Sequence, residues 1–378
     1  MKTLKATYQI VTPMFIGDAE QKATSIRPPS IKGALRFWWR ALNWGGFFGT
    51  NVEDSLKELH EEECRLFGSS EIDGKGGQGV FLLQVISNVT PLQPENLINQ
   101  YPLQNQNGYI YLLGQGLYTR QQGQVIYQRS ALPAEKTFTI KLCFRKDIDE
   151  SIVKTLLLFG LMGSLGSRSR RGFGSVSIKS LTGYDKYKIP ENTEEYKEIL
   201  IKLCKNLPCD LPPFTAFSEK SRIDISMIKG KKEKVQNILN DIGNEMNTYR
   251  SFKSKKIEFQ DDHDLAYDVS KGIRVSEHPR RVIFGLPHNY YLSSGKKVDV
   301  KPIGKERGRR ASPLFIHLHQ FPDNSYAAIQ FLLPSSFLPS SDRIEIKSGH
   351  NANQIPHNVD WKVIHKFLDR FSTRTNII

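Results

Sequence analysis

The chain has 378 residues, 39% of them hydrophobic, which is enough apolar material for two or three folded domains and too much for a disordered chain. Fifty-three Lys and Arg against 39 Asp and Glu leave a net charge of +14, a balance that favours an acidic partner, nucleic acid above all. No apolar run approaches the roughly 20 residues of a membrane span, Met1–Tyr8 lacks a signal-peptide core, and the four scattered cysteines (Cys64, Cys143, Cys204, Cys209) include no Cys-x-x-Cys, as expected of free thiols in a cytoplasmic protein.

Thr3–Val11 alternates, with Leu4, Ala6, Tyr8 and Ile10 on one face, so it predicts a half-buried strand. After Pro28 and Pro29, Ser30 is the expected N-cap of a helix. On that helix Lys32, Arg36 and Arg40 stand four apart and share one face, while Leu35, Trp38, Trp39 and Leu42 share another. Arg27, Lys32, Arg36 and Arg40 occur with no acid between them, as suits a polyanion backbone. The neighbouring tryptophans fit core anchors better than base-stacking groups.

Gly74–Gly79 reads as a flexible turn. Strands are expected at Val80–Ser87, Tyr109–Leu113 and Thr137–Phe144, and again at Phe173–Leu181. Ser151–Met162 has helical spacing, with Asp149 and Glu150 at its positive end. The first unit is expected to span residues 1–184. In residues 185–378 the pattern predicts helices at Ile189–Asn206 and Lys232–Tyr249, and a last one around Trp361–Phe371. Strands are expected at Ser221–Met227, at Leu314–Leu318 and at Ala327–Leu333, the last two paired. No internal repeat is strong enough to prove a duplication.

From Ser151 to Val176 the only charges are Lys154, Arg168, Arg170 and Arg171. Around them Gly163, Gly166 and their neighbours are expected to let backbone amides approach an anion. No Walker A string occurs, which argues against a nucleoside triphosphatase. Gly272–Arg310 holds ten cations, including Arg280, Arg281, Arg309 and Arg310, against three acids. Lys296–Arg310 reads almost as well as a solvated loop. Tyr290 and Tyr291 lie in this stretch and are read as packed rather than stacking. Asp261-Asp262-His263-Asp264 is read as a wet segment rather than a metal site, and His317 and His319 lack a third ligand. No metal, no cofactor and no catalytic residue is therefore expected.

The stretches Thr12–Gly17 and Arg27–Arg40 closely resemble the N-terminal signature of the subunit-one family of the Cmr complex, the type III-B CRISPR effector. That family lies within the RAMP superfamily. Gly160–Gly174 resembles the glycine-rich loop of RAMP proteins, and Arg281–Pro287 and Arg309–Leu314 resemble C-terminal motifs of the same family. The resemblance implies an α+β protein of two ferredoxin-like (RRM-like) units with insertions. It implies a non-catalytic subunit that binds single-stranded guide or target RNA near the guide 3′ end, beside other RAMP subunits. A metal-independent RAMP endoribonuclease, with His278 or His288 as acid or base, is the alternative. The residues expected on RNA are Arg27, Lys32, Arg36, Arg40, Gly163, Gly166, Arg168, Arg170, Arg171, Arg280, Arg281, Arg309 and Arg310.

Overall fold

The structure, a computed structural model, describes residues 1–49, 51–70, 76–205, 207–251, 258–304 and 308–378. Strand β1 (Lys2–Ile10) forms as its alternation predicts, and Leu4, Ala6, Tyr8 and Ile10 are fully buried. Helix α1 (Pro28–Phe47) begins three residues earlier than expected. Its N-cap is Arg27 and not Ser30, because a proline fits the first helical positions, where no amide partner is needed. The next helix, α2 (Val52–Phe67), packs on α1; Asn51 caps it by accepting from the Asp54 amide.

The remaining first-unit elements are β2 (Phe81–Ser87), α3 (Asn107–Leu113), β3 (Thr137–Phe144), α4 (Glu150–Met162) and β4 (Val176–Thr182). They give an antiparallel sheet in the order β2-β3-β1-β4, with Leu4 opposite Leu142 and Tyr8 opposite Phe138. Helices α1 and α4 link its strands, which is the ferredoxin-like path.

Residues 109–113 were expected as a strand and are helical. Asn240, from a helix of the second unit, accepts from the Gly108 and Tyr109 amides at 3.0 and 3.2 Å and so starts α3. The cap is supplied from 130 residues away and leaves no local signal. Of the turn expected at Gly74–Gly79, Gly74 and Lys75 lie outside the described residues, and Gly77–Gln78 pairs with Gly68–Ser69.

The second half adds α5 (Thr193–Leu203), β5 (Arg222–Lys229), α6 (Val235–Arg250), α7 (Gln260–Ser270), β6 (His288–Tyr291), β7 (Lys297–Ile303), β8 (Leu314–Gln320), β9 (Tyr326–Leu332), β10 (Arg343–Ser348), β11 (Asn351–Ile355), α8 (Lys362–Leu368) and β12 (Thr375–Asn376). One sheet has the order β8-β9-β5-β12. Taken with α6 and α8, it repeats the path of the first unit strand for strand. The excursions between α6 and β8 and between β9 and α8 supply a third sheet, β6-β7-β10-β11. Part of Lys296–Arg310 is thus strand and not loop, while Lys305, Glu306 and Arg307 lie outside the described residues.

Residue 184 follows the last strand of the first sheet, but the packing runs across it. Trp38 of α1 is 3% exposed, with ring centroids 6.5, 6.3 and 6.2 Å from Phe217, Phe315 and Phe331. Trp38→Ala should therefore loosen both units and cost about 3–5 kcal/mol, read as a lower urea midpoint.

Strand β8 is buried on both faces, so His317 and His319 are core residues. Burial holds His317 at about 3 and pushes His319 well below the ordinary histidine range, the latter helped by His317 and Lys179. A histidine neutral when folded but protonated when unfolded stabilises above about pH 6.5 and loses that contribution as pH falls toward 3. Each should steepen the loss by up to about 1.4 kcal/mol per pH unit in that window. Urea unfolding followed from neutral to mildly acidic pH should show the decline, and His319→Phe should flatten it.

Candidate nucleic-acid interface

The glycine-rich loop joins α4 to β4 and is pinned on both sides. The Ser167 amide donates to the Phe15 carbonyl at 2.8 Å, and the Gly174 amide to the Pro13 carbonyl at 3.0 Å. Thr12 donates its hydroxyl to the Gly172 carbonyl and accepts from the Ser175 amide. From the second unit, the Ile316 amide donates to the Arg170 carbonyl, Leu318 to Ser175 Oγ, and Gln320 to Ser177 Oγ.

The glycines admit this packing. A Cβ on Gly163 would lie 2.2 Å from the Phe159 carbonyl oxygen, and one on Gly166, at φ +86°, 2.6 Å from that of Phe15.

Two clefts flank the loop. The first, about 490 Å³, is bounded by Phe15–Gly17, the start of α1, Met162–Gly166 and Phe315. The second, about 540 Å³, gathers Arg168, Arg170, Arg171, Arg250, Arg309 and Arg310 with His288, against Phe284–Pro287. No carboxylate occurs among its described lining residues. Ser169 and Arg170 line both clefts. The motif segments separated along the chain thus meet around one loop.

These arginines are held by groups that carry no net charge. Arg168 donates to the Leu113 and Gln115 carbonyls at 2.9 and 2.7 Å, Arg171 to that of Tyr111, and Arg170 to that of Ser312. Arg310 bonds Ser335 and the Ser336 carbonyl. The buried Arg250 Nε has no hydrogen-bond partner among the described residues. Burial lowers Arg170 to about 10, with Arg310 adding repulsion. Arg171 also falls to about 10, through burial first and then Arg250 and Arg168. Burial lowers Arg168 too, reinforced by Arg129 and Arg309. All remain protonated at neutral pH, so the fold holds mutually repelling cations that an anion would relieve.

The α1 cations differ. The sequence offered no nearby acid, but α2 brings Glu63, 5% exposed, to 2.9 Å from Arg36 and 2.7 Å from Arg40. Arg36 also donates to the Gly68 carbonyl at 2.7 Å. The expectation of three cations with no neutralising acid is therefore corrected: Arg36 and Arg40 are ion-paired. Lys32 is half-buried and lowered by burial and by Arg36, and Arg27 is exposed and donates to the Gly17 carbonyl.

Arg280 and Arg281 are likewise turned inward. Asp262, 1% exposed, accepts both backbone amides and lies 3.1 Å from Arg281 Nε. The acidic run read as wet thus contains a buried anchor, placed on α7. Tyr290 is packed as expected, whereas Tyr291 is 78% exposed. Arg309 is exposed, with no hydrogen bond among the described residues. Arg250 escaped the sequence reading; its one signal is a basic residue ending an amphipathic helix.

The RAMP superfamily model matches residues 7–177, which include α1, both α4 and the glycine-rich loop, and the start of β4. That segment is similar to the RAMP superfamily. Reaching beyond that segment, similarity to CRISPR system Cmr subunit Cmr1-1 of Pyrococcus furiosus runs over 360 residues at 27% identity, covering 90% of this chain and 87% of that protein. The crystal structure of Cmr1 from the same organism, in its apo form, shares the fold of this chain. The TM-score is 0.58 at 21% identity, covering all of this chain and 99% of the other. A chain of the type III-B Cmr-beta complex, solved with cognate target RNA, AMPPnP and single-stranded DNA, aligns with a TM-score of 0.50 at 14% identity over 98% of this chain and 99% of its own.

Charge removal separates the two kinds of arginine. Arg36→Ala with Arg40→Ala leaves Glu63 buried without a cation and should cost roughly 3 kcal/mol. Arg309→Ala should stay within about 0.5 kcal/mol. Thermal melting of both variants checks the contrast, and Glu63→Gln in the double variant should restore part of the loss.

Proposed function

We propose that this protein is the RNA-binding subunit one of a type III-B Cmr ribonucleoprotein, working in the cytoplasm beside other RAMP subunits. In this reading the arginine cleft holds the phosphate backbone of guide or target RNA, near the guide 3′ end. The observation that carries it is the cluster of six arginines without a carboxylate among the described lining residues, five from the motif segments and Arg250 from the end of α6. The Pyrococcus Cmr1-1 similarity over nine-tenths of the chain supports the assembly. Phosphate affinity suits guanidinium groups fixed by carbonyls, since their planar donors are pre-oriented.

The same reading makes the subunit non-catalytic. His288 lines the cleft, but burial, with Arg250 and Arg281, lowers it to about 3. A histidine so far below neutrality is a poor general acid at pH 7. His278 donates its Nδ1–H to the Pro279 carbonyl at 3.1 Å and is not among the residues lining the cleft.

Single-stranded RNA of mixed sequence should bind and stay intact, with or without divalent metal. Its affinity should fall with salt at a log–log slope of roughly −0.7 per phosphate contact. Arg250→Ala with Arg309→Ala should flatten that slope by about 1.4 and weaken binding alike across unrelated sequences. A slope near zero would end the electrostatic account. Cleavage lost on His288→Ala would favour the endoribonuclease instead.

A further inference from the structure

The first cleft has a different chemistry from the second. Its wall carries Phe37 and Phe315, with centroids 6.2 Å apart, and the Arg170 guanidinium lies 5.7 and 4.5 Å from their respective centroids. Ser30, Ser167 and Ser169 line it, and their hydroxyls make no hydrogen bond among the described residues. Arg170 is the one charged side chain among its described lining residues. Flat apolar surface with unfilled donors and acceptors suits an uncharged aromatic heterocycle better than a phosphate.

The two clefts share Ser169 and Arg170, and they take alternate residues of one strand. Phe315 faces the first, while Leu314 and Ile316 face the second. A chain whose phosphates lie on the arginines therefore passes within one nucleotide of the aromatic wall.

We propose that the first cleft receives one unpaired nucleobase of the bound RNA, packed against Phe37 beside the Arg170 guanidinium and hydrogen-bonded by the serine hydroxyls; Phe315, stacked on Phe331 and covered by Arg170, backs the wall without offering a free face. The inference rests on the RNA-binding reading and adds a position at which the protein grips a base as well as the backbone. Unfilled hydroxyls beside the Arg170 guanidinium favour a nucleotide over a loop of a neighbouring protein subunit.

The test uses the full chain and short single-stranded RNAs carrying 2-aminopurine at each position in turn. One position should report a stacked environment on binding. An abasic substitution there should weaken binding about tenfold, equivalent to about 1.4 kcal/mol, while leaving the salt slope unchanged. Ala34→Trp, placed to fill the cleft, should abolish the 2-aminopurine response and leave the slope intact. Binding with a normal slope, but with no position sensitive to base removal, would overturn the base site and leave the RNA reading standing. A response that appears only with a partner subunit present would also overturn it. Absence of RNA binding at every salt would overturn the reading beneath both.

Discussion

The open edge of β8 is closed by the glycine-rich loop and the strand that follows it, and both clefts depend on that closure. An edge strand presents a row of amides that need acceptors. Here the amides of Ile316, Leu318 and Gln320 find the Arg170 carbonyl, Ser175 Oγ and Ser177 Oγ in turn. Two sheets that each end in an edge strand thus satisfy one another through one segment. The segment cannot shift without breaking alternate bonds along β8. Arginines on it are consequently fixed relative to both units, which a mobile surface loop would not achieve.

The chain handles its excess cations in two ways. On α1, Arg36 and Arg40 share a buried carboxylate, so the ion pairs hold α2 to α1. Asp262 plays the same part for Arg281. In the seam, arginines lean on carbonyls, which fix geometry without cancelling charge. Burial then raises the cost of leaving those charges uncompensated. The first kind of arginine belongs to the fold, and in the proposed reading the second belongs to a ligand. Sequence alone gives both kinds the same letter.

Local periodicity was enough to find β1, β3, α4 and α6, because their apolar residues recur at strand or helix spacing within one segment. It failed where the deciding partner was remote. Helix α3 needs Asn240 to begin, and Glu63 lies on a helix that the reading passed over. The twofold use of one strand–helix path left no detectable repeat, since the two units conserve topology while their insertions differ in length. The resemblance to RAMP proteins found the glycine loop, and the positive φ expected of its glycines holds at Gly166, Gly172 and Gly174. They admit neighbouring backbone, and the cationic face arises from what that backbone brings together. Arg250 was invisible because nothing in its own helix marks the cleft it enters.

The third sheet is assembled from two separate excursions. One contributes β6 and β7, the other β10 and β11, and they meet where Lys301 lies opposite Glu345. Each hairpin covers the other's edge, so neither excursion is an independent module. A relative that sheds one would expose a raw strand of the other. Gain or loss of this sheet is therefore constrained to be a paired event, and a truncated relative that keeps either hairpin needs a new neighbour to cover it.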